Sequence, residues 1–99
     1  MRLSVLLAMA FAVLPLGATA QDSAARSLAA SCAACHGSDG RSVTTEVIAL
    51  AGLPKQHIVS QMKAFRDGTR PATVMHQLAR GYTDAQIDLV AGYFAAQRK

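Results

Sequence analysis

Apolar residues recur at helical spacing along the second half of the chain. Ile58, Met62 and Phe65 occupy positions i, i+4 and i+7, which fall on one face of an α-helix. This helix is predicted to begin at Pro54, because proline suits the first helical position, and to end at Gly68. Since Met62 lies within the apolar stripe, we interpret it as a core residue rather than a ligand.

The last part of the chain contains the clearest helix start. Thr83 is followed three residues later by Gln86, which matches a capping box in which each side chain bonds the other residue's backbone N–H. The predicted apolar face of this helix consists of residues at helical spacing: Ile87, Val90, Ala91 and Phe94. A shorter helix is predicted before it, over residues 75–80.

An alanine-rich segment in the first half predicts another helix. We expect it to begin near Asp22 or Ser23, which are good N-caps, to run into Cys32 and to stop near Gly37. Residues 41–51 are predicted to form an irregular loop. The apolar residues of this loop are expected to pack on the core or on a bound prosthetic group, since nothing else explains them: Val47, Ile48 and Leu50.

The first twenty residues have the composition of an export signal. Arg2 supplies a positive charge, residues 3–14 are almost uninterruptedly apolar, and Ala18-Thr19-Ala20 forms a small-x-small cleavage site. We expect cleavage to leave residues 21–99 as one domain in an oxidising, exported compartment, the periplasm. The alternative is an uncleaved membrane anchor, but the apolar run is broken near its end and no stop-transfer pattern follows it.

Size and charge narrow the class of protein. A domain of residues 21–99 is near the size at which a core of side chains alone gives marginal stability. A cross-link or a bound group that stabilises the fold is therefore expected. Ten basic and six acidic residues give the whole chain a formal net charge of +4. This modest charge, without a basic run or basic–aromatic interleaving, argues against nucleic-acid binding.

The two cysteines of the chain both lie in the motif Cys32-Ala33-Ala34-Cys35-His36. C-x-x-C-H is the attachment signature of a c-type haem. Two thiols at i and i+3 lie on one side of a helical turn, where they can add to the two vinyl groups of a haem. The adjacent imidazole can then supply an axial nitrogen to the iron. One covalent haem would also supply the stabilisation that this small domain needs.

Three other interpretations of the two cysteines are weaker. A thioredoxin-like redox pair belongs near a βαβ unit, and strand-like runs do not flank this motif. Half a zinc site would need further ligands at a characteristic spacing, which the sequence lacks. A disulfide across so short a loop would contribute little cross-linking benefit.

Met75 is the candidate sixth ligand of the iron. It follows a proline-containing strap over residues 69–74, and its soft, neutral thioether favours reduced iron. His76 is the chemical rival, and a purely packing role for Met75 is the alternative. His57, near the start of its helix, is interpreted as exposed rather than functional.

With these residues identified, the mature chain resembles a small class I cytochrome c. The C-x-x-C-H motif, together with the Gly37 that follows it, looks like the haem site of that family. Residues 50–53 and 61–70 are similar to each half of the dihaem cytochrome c4 group. Residues 72–75 and 79–84 also resemble the cytochrome subunit of flavocytochrome c sulfide dehydrogenase. The chain departs from these relatives in having His76 next to Met75, and one haem motif where cytochrome c4 has two.

The resemblance implies a fold and a set of ligands. The fold would be all-α, with three or four helices packed around one covalent haem. Cys32 and Cys35 would form the thioether bonds, and His36 and Met75 would be the axial ligands of the iron. With both axial positions filled, we expect an electron carrier and not an enzyme, with redox proteins as donor and acceptor.

Two other functions remain open. The chain could be the haem subunit of an enzyme complex, in which a flavoprotein partner carries out a step such as sulfide oxidation. It could also be a haem sensor or peroxidase, which would require Met75 to leave the iron. Scattered basic residues could steer an acidic partner if they surround the haem edge, or could form an ordinary solvated surface: Lys55, Lys63, Arg66, Arg70 and Arg80.

Overall fold

The computed structural model describes residues 9–10, 12–13 and 16–99 of the chain. Within these residues the chain forms five α-helices, one 3₁₀ turn and no strand, so the predicted all-α class is confirmed. The elements in chain order are α1 (Leu16–Ala30), α2 (Ala33–His36), the 3₁₀ turn (Ser38–Gly40), α3 (Lys55–Asp67), α4 (Met75–Ala79) and α5 (Asp84–Ala95). The export signal predicted for residues 1–20 falls mostly outside the described ranges and stays a prediction.

The first helix differs from the prediction at both ends. It begins at Leu16, upstream of Asp22 and Ser23, because Ala18, Ala20 and Gln21 also favour a helix and residues typical of N-caps are tolerated inside one. It ends at Ala30. In the turn that follows, the Cys32 N–H donates a hydrogen bond to the Ala29 carbonyl oxygen at 3.0 Å. The haem motif therefore has its own short helix, α2. In the part of the chain that the structure describes, no helix is long and apolar enough to cross a membrane.

Helix α5 is the centre of the packing. Both α1 and α3 pack against it, and α4 packs against α3. The buried apolar side chains come from all four of these helices and one loop: Ala25, Ala29, Ala51, Ile58, Met62, Ala79, Ile87, Val90, Ala91 and Phe94. The predicted apolar faces of α3 and α5 are therefore the ones that meet, with Phe65 partly buried at their edge.

The ends of α3 and α5 follow their local sequence. The hydroxyl oxygen of Thr83 accepts from the Gln86 N–H at 3.2 Å, and the Gln86 side chain accepts from the Thr83 N–H at 3.0 Å, so the capping box is confirmed. Pro54 is the N-cap of α3 and not its first residue, one position from the prediction. Gly68 ends α3 with a φ of 79°, as expected for a left-handed C-cap.

The segment between the 3₁₀ turn and α3 is irregular, as predicted. The Gly40 carbonyl closes it by accepting from the N–H groups of Leu50 and Ala51, at 2.8 and 3.1 Å. Leu50 packs partly against the core, but Ile48 remains 51% exposed. The reason for that exposure is that Ile48 borders a cavity and not the packed core.

Candidate functional site

A cavity of about 580 Å³ opens between the α1–α2 junction, the irregular loop, α3 and the strap that leads into α4. The four residues singled out in the sequence all line it: Cys32, Cys35, His36 and Met75. The rest of the wall is mostly apolar, contributed by Val47, Ile48, Leu50, Leu53, Ile58, Met62, Phe65, Val74, Leu78, Val90 and Phe94. Packing thus brings the C-x-x-C-H motif and Met75, which are far apart in the sequence, to the wall of one apolar cavity.

The cysteines lie at the start and inside α2. Cys32 is its N-cap and is half-buried, whereas Cys35 is exposed, and both carry free thiols. Burial raises the pKa of the Cys32 thiol, while the nearby hydroxyls of Ser31 and Tyr82 act in the opposite direction. Those two hydroxyls are 2.9 Å apart and join the α1–α2 junction to the start of α5. Sequence analysis did not identify this pair.

The orientation of His36 is fixed by the irregular loop. Its Nδ1 lies 2.7 Å from the carbonyl oxygen of Ile48. Because a carbonyl oxygen only accepts hydrogen bonds, the Nδ1 atom carries the proton and donates it. In the neutral ring, Nε2 then keeps its lone pair, which is the tautomer that a metal ligand requires. No sequence motif marks this contact, since it joins residues through the folded loop.

Position relative to the cavity distinguishes Met75 from the other possible axial ligands. Met75 lines the cavity as the first residue of α4, whereas His76 does not line it. The Nδ1 atom of His76 is buried without a hydrogen-bond partner among the described residues. Met62 also borders the cavity but is only 8% exposed and belongs to the core, as predicted. His57 is exposed, as predicted, yet it borders the cavity, which the sequence did not indicate.

The basic residues do not form a ring around the cavity. Lys55 pairs with Asp88 at 3.1 Å and borders a different groove, between α1 and α5. Arg66 bonds Asp84 at 2.6 Å and holds the pKa of that exposed carboxyl below its usual range. Among the described basic residues that the sequence singled out, Arg70 alone lines the cavity.

The donor set and the walls of the cavity fit a covalently attached haem. Two thiols one helical turn apart suit the two vinyl groups, and an imidazole with a free Nε2 and a thioether suit the axial positions of iron. Mostly apolar walls suit the macrocycle, and the volume is in the range of cofactor pockets, roughly 300–1,000 Å³. The cavity therefore has the chemistry that the C-x-x-C-H motif predicts.

Comparison with curated proteins identifies relatives, although no family model matches the chain. The chain is 40% identical over 67 residues to the cytochrome subunit of sulfide dehydrogenase from Chlorobaculum tepidum. The aligned residues cover 68% of the chain and 60% of that relative. The chain is 35% identical over 98 residues to cytochrome c4 from Pseudomonas aeruginosa, covering 98% of the chain and 49% of the relative. The chain thus spans about half to three-fifths of the length of these two proteins.

A third relative is matched over most of its own length. Cytochrome c-554(548) from Halomonas halodenitrificans is 36% identical over 69 residues, which cover 67% of the chain and 83% of the relative. All three relatives are c-type cytochromes, and the sequence resemblance drawn from the haem motif is thereby confirmed. The chain belongs to the class I c-type cytochromes, and its cofactor is covalently bound haem c.

Proposed function

We propose that this chain is a single-electron carrier with one haem, to which Cys32 and Cys35 would be bonded and whose iron His36 and Met75 would ligate. The observation that carries the proposal is the convergence of these four side chains on one apolar cavity. When bound, the haem supplies an iron that alternates between the ferrous and ferric states. The work of the protein is to hold the haem, tune its potential and expose one edge of it.

Each ligand is supported by its surroundings. The hydrogen bond from His36 Nδ1 to the Ile48 carbonyl orients the imidazole and leaves the lone pair on Nε2 for the iron. Met75 borders the cavity where its neighbour His76 does not, which favours the thioether as the second axial ligand. A soft, neutral sulfur stabilises the reduced state and raises the potential relative to two imidazoles. With His36 and Met75 both bound to it, the iron would offer no open site for a substrate.

We further propose that residues 1–20 are removed after export and that residues 21–99 act in the periplasm. The support is the positively charged start, the apolar run and the Ala18-Thr19-Ala20 site. Attachment of a c-type haem outside the cytoplasm is consistent with this route. The electron donor and acceptor would then be redox proteins of the same compartment.

A second candidate function is the haem subunit of an enzyme complex with a flavoprotein. The observation that favours it is the similarity to a cytochrome subunit of sulfide dehydrogenase over 68% of the chain. In this case the catalytic step would belong to the flavoprotein, and the chain would accept its electrons. Purification from the native cell distinguishes the two: a carrier elutes alone as a monomer, and a subunit elutes with a flavin-containing chain.

Two measurements test the proposed site. The intact mass of the secreted protein should equal residues 21–99 plus one haem. The oxidised protein should show the weak near-infrared band of sulfur-to-iron charge transfer, and Met75→Ala should abolish the band and lower the potential. Met62→Ala is the matched control and should keep the band. A mass without haem, or a wild-type spectrum typical of two imidazole ligands, would contradict the proposal.

A further inference from the structure

Cleavage at the proposed signal site would make Gln21 the first residue of the mature chain. Ala18-Thr19-Ala20 is the small-x-small site, and Gln21 follows it directly. An amino-terminal glutamine carries a free α-amine and a side-chain carboxamide on the same residue, and these two groups can close a lactam ring. Whether the ring can form in the folded protein depends on how accessible Gln21 is.

The structure leaves Gln21 accessible to solvent. Residues 20–24 are all exposed, and Ala25, which follows them, is buried at 8% exposure. Gln21 borders the open groove between α1 and α5 and does not line the apolar cavity. Since Ala25 comes one helical turn after Gln21, a reaction at Gln21 leaves the packing of α1 on α5 undisturbed.

The position of Gln21 within α1 favours a neutral terminus over a charged one. After removal of residues 1–20, Gln21 would begin the helix, where N–H groups without intrahelical partners give a partial positive charge. An ammonium group is unfavourable at this end, and Arg26 adds a further positive charge to the same groove. Asp22 suits this end of the helix in either case. A lactam carries no charge, so it removes the unfavourable interaction of the ammonium group with the helix.

We propose that Gln21 of the mature protein cyclises to pyroglutamate after export. In this step the uncharged α-amine attacks the carboxamide carbon of its own side chain, and a new C–N bond forms. The carboxamide nitrogen takes up the proton that the amine loses and leaves as ammonia, so the step needs no oxidant and no co-reactant. The inference rests on the proposed function, since it requires residues 1–20 to be removed after export.

The ring would protect the amino terminus from aminopeptidases. These enzymes require a free α-amine, and the exposed turn over residues 21–24 gives a free terminus no protection by burial. With a free amine, trimming should therefore proceed along this turn and slow at Ala25, whose side chain is buried. Cyclisation would keep intact the first turn of a helix that packs on α5.

The intact mass of the mature protein purified from the periplasm tests the ring. The proposed function predicts the mass of residues 21–99 plus one haem, and cyclisation subtracts one ammonia from that mass. Stepwise amino-terminal sequencing should give no signal until pyroglutamate aminopeptidase has removed the ring, and should then begin at Asp22. The sequencing separates loss of ammonia at the terminus from loss of water at the two Asp-Gly pairs of the chain, at residues 39–40 and 67–68. The mass is measured before any digestion, because peptides that begin with glutamine cyclise during digestion.

Matched variants assign the loss of ammonia to one residue. Gln21→Ala removes the carboxamide, so this variant should have the full mass, a free amine and a terminus that is sequenced directly. Gln56→Ala removes an exposed glutamine inside the chain and should keep the loss of ammonia. Incubation with an aminopeptidase should shorten Gln21→Ala as far as about Ala25 and leave the wild type and Gln56→Ala unchanged.

Three results would overturn the inference. A wild-type protein with the full mass, in which sequencing reads Gln21 directly, would contradict the ring and leave the proposed function intact. Loss of ammonia that persists in Gln21→Ala would place the modification elsewhere in the chain. A mature protein that begins at another residue would contradict both the proposed cleavage site and the ring. The same mass measurement shows whether a haem is attached, so a failure of the haem assignment is recognised separately from a failure of the ring.

Discussion

At the scale of single residues, Gly40 links the haem motif to the rest of the fold. It ends the 3₁₀ turn after α2, is buried, and has a φ of 78°. Its carbonyl closes the irregular loop that also positions His36 through the Ile48 carbonyl. A Cβ atom at this position would lie 2.7 Å from Phe94 Cδ1 and 2.9 Å from the Ala51 nitrogen. The site therefore tolerates no side chain, since both the conformation and the space exclude one.

Gly40→Ala and Gly68→Ala form a matched pair that separates strain from crowding. Gly68 has nearly the same φ, 79°, but a Cβ there would have nothing within 4 Å. We expect Gly68→Ala to cost about 1–2 kcal/mol of unfolding free energy, the penalty of the left-handed conformation alone. Gly40→Ala should cost roughly 1–3 kcal/mol more, because it also overpacks the core. Denaturant unfolding of the two oxidised holoproteins measures the difference, and equal losses would contradict the argument.

At the scale of elements, local chemistry predicted the helices with marked caps, α3 and α5, better than it predicted α1 and α2. The apolar stripe of α3, its Gly68 cap and the α5 capping box were correct because each depends on a few neighbouring residues. The start of α1 was wrong because alanine-rich sequence favours a helix on both sides of Asp22. The break before α2 was missed because its cause, the turn at residues 31–32, carries no glycine or proline signal.

The capping box of α5 should contribute measurably to the stability of the whole protein, because α5 supplies half of the buried core cluster: Ile87, Val90, Ala91 and Phe94. Thr83→Ala removes the oxygen that accepts the Gln86 N–H and should lower the unfolding free energy by about 1 kcal/mol. Thr83→Ser keeps that oxygen and should recover most of the loss. The Thr83 side chain is exposed, so a large loss in both variants would mean that its methyl group and not its hydroxyl matters.

At the scale of the whole molecule, the sequence predicted the residues of the site but not the space they enclose. The C-x-x-C-H motif predicted Cys32, Cys35 and His36, the strap predicted Met75, and all four line one cavity. The cavity itself arises from long-range packing of α3, α4 and α5, which no local pattern encodes. The bond from His36 to Ile48 depends on how the irregular loop folds back on α2, so only the folded chain reveals it.

The size of the cavity predicts that the fold depends on its haem. Because the walls of this cavity of about 580 Å³ are mostly apolar, a haem there would bury apolar surface that the side chains alone leave open to solvent. The entire stability of a small domain is only about 5–15 kcal/mol, so losing that burial is expected to remove a large part of it.

Residues 21–99 produced without the export signal, and so without attached haem, should lack a cooperative unfolding transition. We expect reduced helical signal in far-ultraviolet circular dichroism, because α2 and the irregular loop lose the group that joins them to α3 and α4. The same chain carrying Cys32→Ala and Cys35→Ala serves as the control, since it cannot form a disulfide in place of the thioether bonds. Both chains should behave alike. If the haem-free protein unfolds cooperatively at the same denaturant concentration as the holoprotein, the core does not need the haem, and the cavity must close without it.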